Sequence, residues 1–251
     1  CTPCRTAPTI PGSVATEIVA RATMPRALDF EGYTWKVRNL PGRLDPGNNY
    51  WNAAPWFSWV DRNGDLHLRV AQIGGVWYCV EVELIQSLGY GTYSFTLHGR
   101  LDLLDPNLVA AGFTFEDESS ITGNREFDHE FSRWGDPGAD NAQFAFQPWT
   151  EPGHQVRYSL SQEDMANQDV TCYIEWRPES LTFSTYYGHY TSGVTPPEAN
   201  LAHRASYSGA EVPTPGNETF RFNFWLLEDS APTDGKAAEM VVTGFGWQAA
   251  S

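Results

Sequence analysis

The 251-residue chain carries a formal net charge of −15, with 31 acidic side chains against 16 basic ones, and 14% of its residues are aromatic, ten of them Trp. So acidic a protein repels phosphate backbones, which argues against nucleic acid as a partner and for a neutral or cationic one, although a local basic patch can still hold an anion. The apolar content suffices for one sizeable core with Trp and Tyr to spare for a surface, and no apolar run of 18 residues marks a membrane span.

Residues 1–25 are rich in Pro and Thr, lack periodicity, and read as an extended tail preceding a single domain over residues 26–251. A chain opening on Cys1 reads either as a processed secreted protein, such as a bacterial lipoprotein with a lipid anchor at Cys1, or as a trimmed form. Cys1 and Cys4 could close a small disulfide ring. Cys79 and Cys172 fall in strand-like stretches and read as buried thiols first, as an inter-strand bridge second.

Downstream, short apolar-aromatic runs are punctuated by Gly, Pro, Asn and Asp. Residues 40–55 are turn-rich and predict a loop. The segment DRNGDLHLRVAQIGGVWYCVEVEL (61–84) alternates in polarity and turns at Asn63-Gly64 and Gly74-Gly75, both hairpin signals. Further strands are predicted at 90–101, 110–117, 142–149, 171–176, 181–188, 220–227 and 238–247. Only SQEDMANQ (161–168) has a helical look, and 191–216 predicts a second long loop. Many short strands with almost no helix indicate an all-β sandwich or barrel.

One stretch stands out: NREFDHEFSRWG (124–135) places Glu126, Asp128 and Glu130 at every second position. In a strand these acids share one face, while Phe127, His129 and Phe131 share the other and pack inward. Four residues of strand separate the Cα atoms of Glu126 and Glu130 by about 13 Å, so side chains leaning together bring the carboxyls within about 5–6 Å. That is the separation of the nucleophile and acid/base pair in retaining glycosidases. Like charges so close cannot all ionise freely, so at least one proton is held above its ordinary pKa. The competing reading is a solvated strand face, which alternating acids often make.

The acid strand resembles the E-[apolar]-D-[apolar]-E-F strand of glycoside hydrolase family 16, and further segments resemble that family in the same order. These are GYTWKVRN (32–39), NGDLHLRV (63–70), CVEVELIQSLGYGTYSFTL (79–97), CYIEWRPESLTFSTYYG (172–188) and FNFWLLEDSAPTDGKAAEMVVTGFGW (222–247). The resemblance implies a jelly-roll β-sandwich of two antiparallel sheets with a concave substrate cleft. It also implies retaining endo-cleavage of β-linked, β-glucan-type polysaccharide by double displacement. By motif match Glu126 is the nucleophile, Asp128 its helper and Glu130 the acid/base. With no extra residue between Asp128 and Glu130, the strand resembles the non-bulged branch of the family. His129 departs from the family's apolar residue there and is expected to be either a satisfied core histidine or a sign of altered chemistry behind the acids.

Sugar faces are apolar, so aromatic platforms are expected along such a cleft. Trp134, four residues past the acids, comes first, then Trp149, Trp51, Trp56 and Tyr50 in or beside loops, with Asn141 and Gln143 as hydroxyl partners. Trp35, Trp59, Trp77, Trp176, Trp225 and Trp247 read as core. No cofactor is required. Sandwiches of this kind sometimes carry a structural calcium, but DRNGD (61–65) has its Gly at the fourth position where a calcium loop needs the sixth, and reads as a turn. The expected protein is a secreted, periplasmic or cell-surface monomer with a polysaccharide partner. The alternatives are a non-catalytic carbohydrate-binding sandwich and a cell-wall transglycosylase.

Overall fold

The structure, a computed structural model, describes residues 26–167 and 169–250. The expected tail, the Cys1/Cys4 ring and a lipid at Cys1 lie outside the described residues. In chain order the strands are β1 (Arg26–Phe30), β2 (Tyr33–Val37), β3 (Arg43–Leu44), β4 (Asn49–Tyr50), β5 (Ser58–Val60), β6 (Leu66–Ile73), β7 (Val76–Tyr78), β8 (Val80–Leu84) and β9 (Gly91–His98). They continue with β10 (Leu108–Phe115), β11 (Phe127–Phe131), β12 (Ala142–Phe146), β13 (Gln155–Tyr158), β14 (Asp169–Arg177), β15 (Ser180–Tyr187), β16 (Leu201–Ser208), β17 (Thr219–Leu226) and β18 (Ala238–Ala249).

One sheet runs β1-β2-β8-β17-β10-β11-β12-β13 and the other β16-β15-β14-β9-β18-β6-β5, with β7 on β6 and every pairing between these strands antiparallel. This is the sandwich that strand alternation predicts. The hairpin turns at Asn63-Gly64 and Gly74-Gly75 join β5 to β6 and β6 to β7. Asp61 Oδ1 accepts the backbone N–H groups of Asn63 and Asp65, which makes DRNGD a self-capped turn.

Period-2 alternation builds the core. On β17, Phe220, Phe222 and Phe224 point inward and are essentially fully buried. Their rings meet those of the facing sheet: Phe222 lies 5.3 Å from Phe95 and 6.0 Å from Phe245, and Phe220 lies 5.4 Å from Tyr93. Each such burial contributes about 1.5–3 kcal/mol. Gly112 on β10 is required by this packing, since a Cβ there would sit 2.6 Å from the Phe95 ring.

Against the sequence expectation, residues 191–216 are not all loop. Residues 201–208 form edge strand β16, whose half-buried Ala, His and Tyr side chains carry no apolar run to signal it. The stretch 161–168 yields a single 3-10 turn, Asp164–Asn167. Cys79 and Cys172 are free and buried, and burial raises both thiol pKa values.

His129 is fully buried behind the acids. Its Nε2 hydrogen-bonds with the hydroxyls of Thr185 at 2.7 Å and Tyr158 at 3.0 Å, while its ring stacks on Phe131. It is a core histidine. Burial lowers its pKa to about 3, against 6.5 when exposed. A depressed histidine pKa contributes stability above pH 6.5 that is lost as pH falls toward 3. In thermal unfolding followed across pH 7 to 4, His129→Leu is therefore expected to lose less melting temperature than the parent. The Tyr158 and Thr185 hydroxyls remain paired to each other at 2.6 Å. An equal loss would contradict a neutral buried imidazole.

Candidate active site

Glu126 precedes β11, in a turn where Asn124 and Arg125 take φ of 50° and 52°. Its N–H donates to the Gly123 carbonyl at 2.8 Å and its carbonyl accepts the Gln147 N–H at 3.0 Å, so it extends the β11–β12 ladder by one step. Glu126, Asp128 and Glu130 then line one cleft of about 590 Å³. Cross-strand register lays out its floor. One row runs Glu81, Asn223, Ala111, Glu130, Gln143, Arg157, and the next runs Glu83, Arg221, Phe113, Asp128, Ala145, Gln155. Ala111 and Ala145 are small and leave the acids open to the cleft.

The electrostatics follow from desolvation. Burial is the largest influence on Glu126 and raises its pKa to about 7, although hydrogen bonds from Gln147 and Asp128 favour its carboxylate form. Glu130 is also raised to about 7, first by burial and further by the Glu126 charge, while Gln143 opposes the shift. Asp128, 6% exposed, is pushed well above the usual carboxylate range by burial and then by both flanking charges. Its carboxyl is hydrogen-bonded to that of Glu126, which raises Asp128 and lowers Glu126. Gln143 Nε2 donates to Glu130 Oε2 at 2.6 Å. The amide is oriented by Arg157 Nε and Gln155 Nε2, which donate to its Oε1 at 3.2 and 3.3 Å.

Trp134, Trp149 and Gln143 also line the cleft. Trp134 does not get there by strand alternation, because β11 ends at Phe131. A turn carries it instead, with Trp134 at φ 51° and its N–H donating to Ser132 Oγ. Four expected binding residues are placed elsewhere. Trp51 is 4% exposed, with its Nε1–H donating to the Leu44 carbonyl and its outer face covered by Arg38 at 4.3 Å. Trp56 packs edge-on to Phe57 beneath Arg69, on the second sheet. Tyr50 lies between Tyr78 and Arg43. Asn141 is buried and ties the start of β12 to Leu160 through both amide atoms. Arg125 and Arg133 lie outside β11 and donate to the Thr214 and Asp102 carbonyls, with Arg125 also paired to Glu116.

Sequence reasoning missed Arg38, Glu81, Gln147, Gln155, Arg157, Arg221, Asn223 and Trp225, all of which line the cleft. Trp225, expected in the core, is buried there and also borders the cleft. The signal was present in TFRFNFWL, where Thr, Arg, Asn and Trp alternate with Phe, Phe, Phe and Leu. Glu81 is buried and accepts from Arg38 at 3.1 Å, Asn223 at 3.3 Å and Arg221 at 3.4 Å. Among the described residues, no group of three or more His, Cys, Asp and Glu is arranged to hold a metal ion.

No family model matches the chain, and no curated protein matches it. Solved structures do. The chain shares its fold with β-glucanases. The β-glucanase of Bacillus licheniformis superposes with a TM-score of 0.56 at 20% identity, over 85% of this chain and 89% of that one. A β-1,3-1,4-glucanase (lichenase) from a mouse hindgut metagenome gives 0.57 at 19%, over 85% and 90%. A Mycobacterium tuberculosis protein described as an immunostimulatory antigen and pseudo β-1,3-glucanase gives 0.56 at 17%, over 83% and 88%. The structural similarity is to family 16 glucanases, one of the matched structures, from Mycobacterium smegmatis, being described as a member of that glycosyl hydrolase family.

The raised pKa values carry a stability consequence. Glu126 and Glu130 titrate from 4.5 in a model peptide to about 7 when folded. Between those values the folded state holds more protons, so stability falls as pH rises through the window. Glu126→Gln and Glu130→Gln are each expected to raise the melting temperature at pH 8 and to change it less at pH 4.5. A loss at pH 8 would mean the carboxylates stabilise the fold.

Proposed function

We propose that the chain is a retaining endo-glycosidase acting on β-linked polysaccharide of the β-glucan type. The observation that carries this reading is the trio of acids on one cleft floor, with burial and mutual repulsion keeping protons on them near neutral pH. Hydrogen bonds from Gln147 and the Asp128 proton favour the carboxylate at Glu126, which suits a nucleophile. Burial, and after it repulsion from that carboxylate, keeps a proton on Glu130, which suits an acid.

In the first step Glu126 attacks the anomeric carbon while Glu130 protonates the departing glycosidic oxygen, and the C–O bond breaks. In the second, water gives its proton to Glu130 and displaces Glu126 from the anomeric carbon. Asp128 hydrogen-bonds Glu126 as charge leaves and returns. Strand β11 pairs without a register break through Asp128 and Glu130, which supports placement in the non-bulged branch. A polymer substrate fits a secreted or cell-surface location, and Trp134 and Trp149 would be its aromatic platforms.

A carbohydrate-binding protein without turnover is the second reading, because a protein of the same fold is described as a pseudo-glucanase. Reducing ends released from mixed-linkage β-glucan, laminarin, xyloglucan and galactan separate the two. Release is expected with the parent, falling roughly a thousandfold or more in Glu126→Gln. In Glu126→Ala, added azide is expected to restore cleavage and yield a glycosyl azide of inverted configuration. Binding without release, both from these polymers and from acidic β-linked polysaccharides, would end the enzyme reading. Longer products on adding an acceptor would point to transglycosylation.

A further inference from the structure

Three arginines line the cleft, and two of them are neutralised within the protein. Arg38 pairs with Glu81 at 3.1 Å. Arg221 pairs with Asp117 at 2.8 Å, Glu83 at 3.3 Å and Glu81 at 3.4 Å. Arg157 differs. It is exposed on edge strand β13 and, among the described residues, has no carboxylate within ion-pair distance. Its Nε is committed to Gln143 Oε1. Its guanidinium lies 5.5 Å from the centre of the Trp134 ring, which holds the fork at the cleft wall. Among the described residues the two terminal nitrogens have no acceptor. The neighbouring Trp134 Nε1 is buried and also lacks one.

In a chain of net charge −15 this is a cation without an ion-pair partner among the described residues, set at the end of the row that carries Glu130, on which its charge acts from a distance. Two free NH2 groups on a planar fork match the oxygens of a carboxylate or a sulfate, while a neutral hydroxyl uses only part of that donor set. The Trp134 indole, half-buried beside the guanidinium, adds apolar surface to the same part of the cleft for the sugar that bears the anion.

We propose that Arg157 and Trp134 form a subsite for an acidic sugar, so that the substrate is a β-linked polysaccharide bearing an anionic oxygen group on the unit beside Glu130. This rests on the glycosidase reading for its naming of the polymer, and it predicts binding that does not need turnover. The anion is a uronic-acid carboxylate or a sulfate ester, since both present the same oxygen pair.

The test uses Glu126→Gln protein and calorimetric titration with matched pairs of oligosaccharides: a β-linked oligouronate and its carboxyl-reduced form, and a sulfated β-galactan oligosaccharide and its desulfated form. Which pair discriminates identifies the anion. The acidic member is expected to bind about tenfold or more tighter, with the preference weakening in 0.5 M salt. Adding Arg157→Gln is expected to abolish the preference, and Arg157→Lys to retain part of it. The ratio of acidic to neutral affinity is the readout, because a loss of packing or of Gln143 orientation would weaken both members together. Equal affinity for both members of both pairs, or a preference unchanged in Arg157→Gln, overturns the proposal while leaving glycosidase activity on neutral polymer intact. A preference that depends on Arg157 in a protein that releases no reducing ends would sustain the subsite and remove the enzyme.

Discussion

Desolvation of three neighbouring carboxyls is the interaction on which the site depends. In water the trio would ionise at ordinary acidic pH and present three like charges of little chemical use. Set on a sheet face and packed into a cleft, the same groups lose solvent, and burial becomes the largest influence on each. Repulsion then distributes what protons remain. Among the described residues no cation forms an ion pair with the trio, and the Arg221 and Arg157 charges act on Glu126 and Glu130 from further off. The direct partners are amides, Gln147 at Glu126 and Gln143 at Glu130, which orient the carboxyls and favour their ionised forms.

Everything beneath the acids serves that arrangement. The inward side of β11 is Phe127, His129 and Phe131, all buried, so the strand cannot rotate or slip without exposing them. His129 stays neutral among aromatic rings and hydroxyls, which keeps a second titrating charge from the back of the site. Gly112 lets the Phe95 ring fill the space opposite His129. The core thus sets the register, and the register sets which side chains stand next to each acid.

Much of this was legible in the residues because strand alternation is a strong rule where one face is buried. It placed Glu126, Asp128 and Glu130 together, put His129 behind them, and identified the hairpins at Asn63-Gly64 and Gly74-Gly75. Applied to TFRFNFWL it would also have brought Arg221, Asn223 and Trp225 to the cleft. Loop residues were less legible. Trp51 and Tyr50 follow turn-rich sequence yet are covered by arginines, and Trp134 reaches the cleft through a left-handed turn that no periodicity encodes. Edge strand β16 was hidden by its small, half-polar side chains. Arg157 sits on a short edge strand, and its lack of a carboxylate partner is visible only when strands distant in sequence are laid side by side.

The fold is shared with enzymes and with a protein described as a pseudo-glucanase, so fold by itself does not decide activity. The state of the acids does. Carbon-13 labelling of the Glu and Asp carboxyls, followed by NMR across pH 3 to 9, reads that state directly. Glu126 and Glu130 are expected to titrate near 7 in linked steps, with Asp128 shifted well above the usual carboxylate range. Three independent titrations near the ordinary carboxylate values would contradict a desolvated, proton-sharing trio and the chemistry built on it.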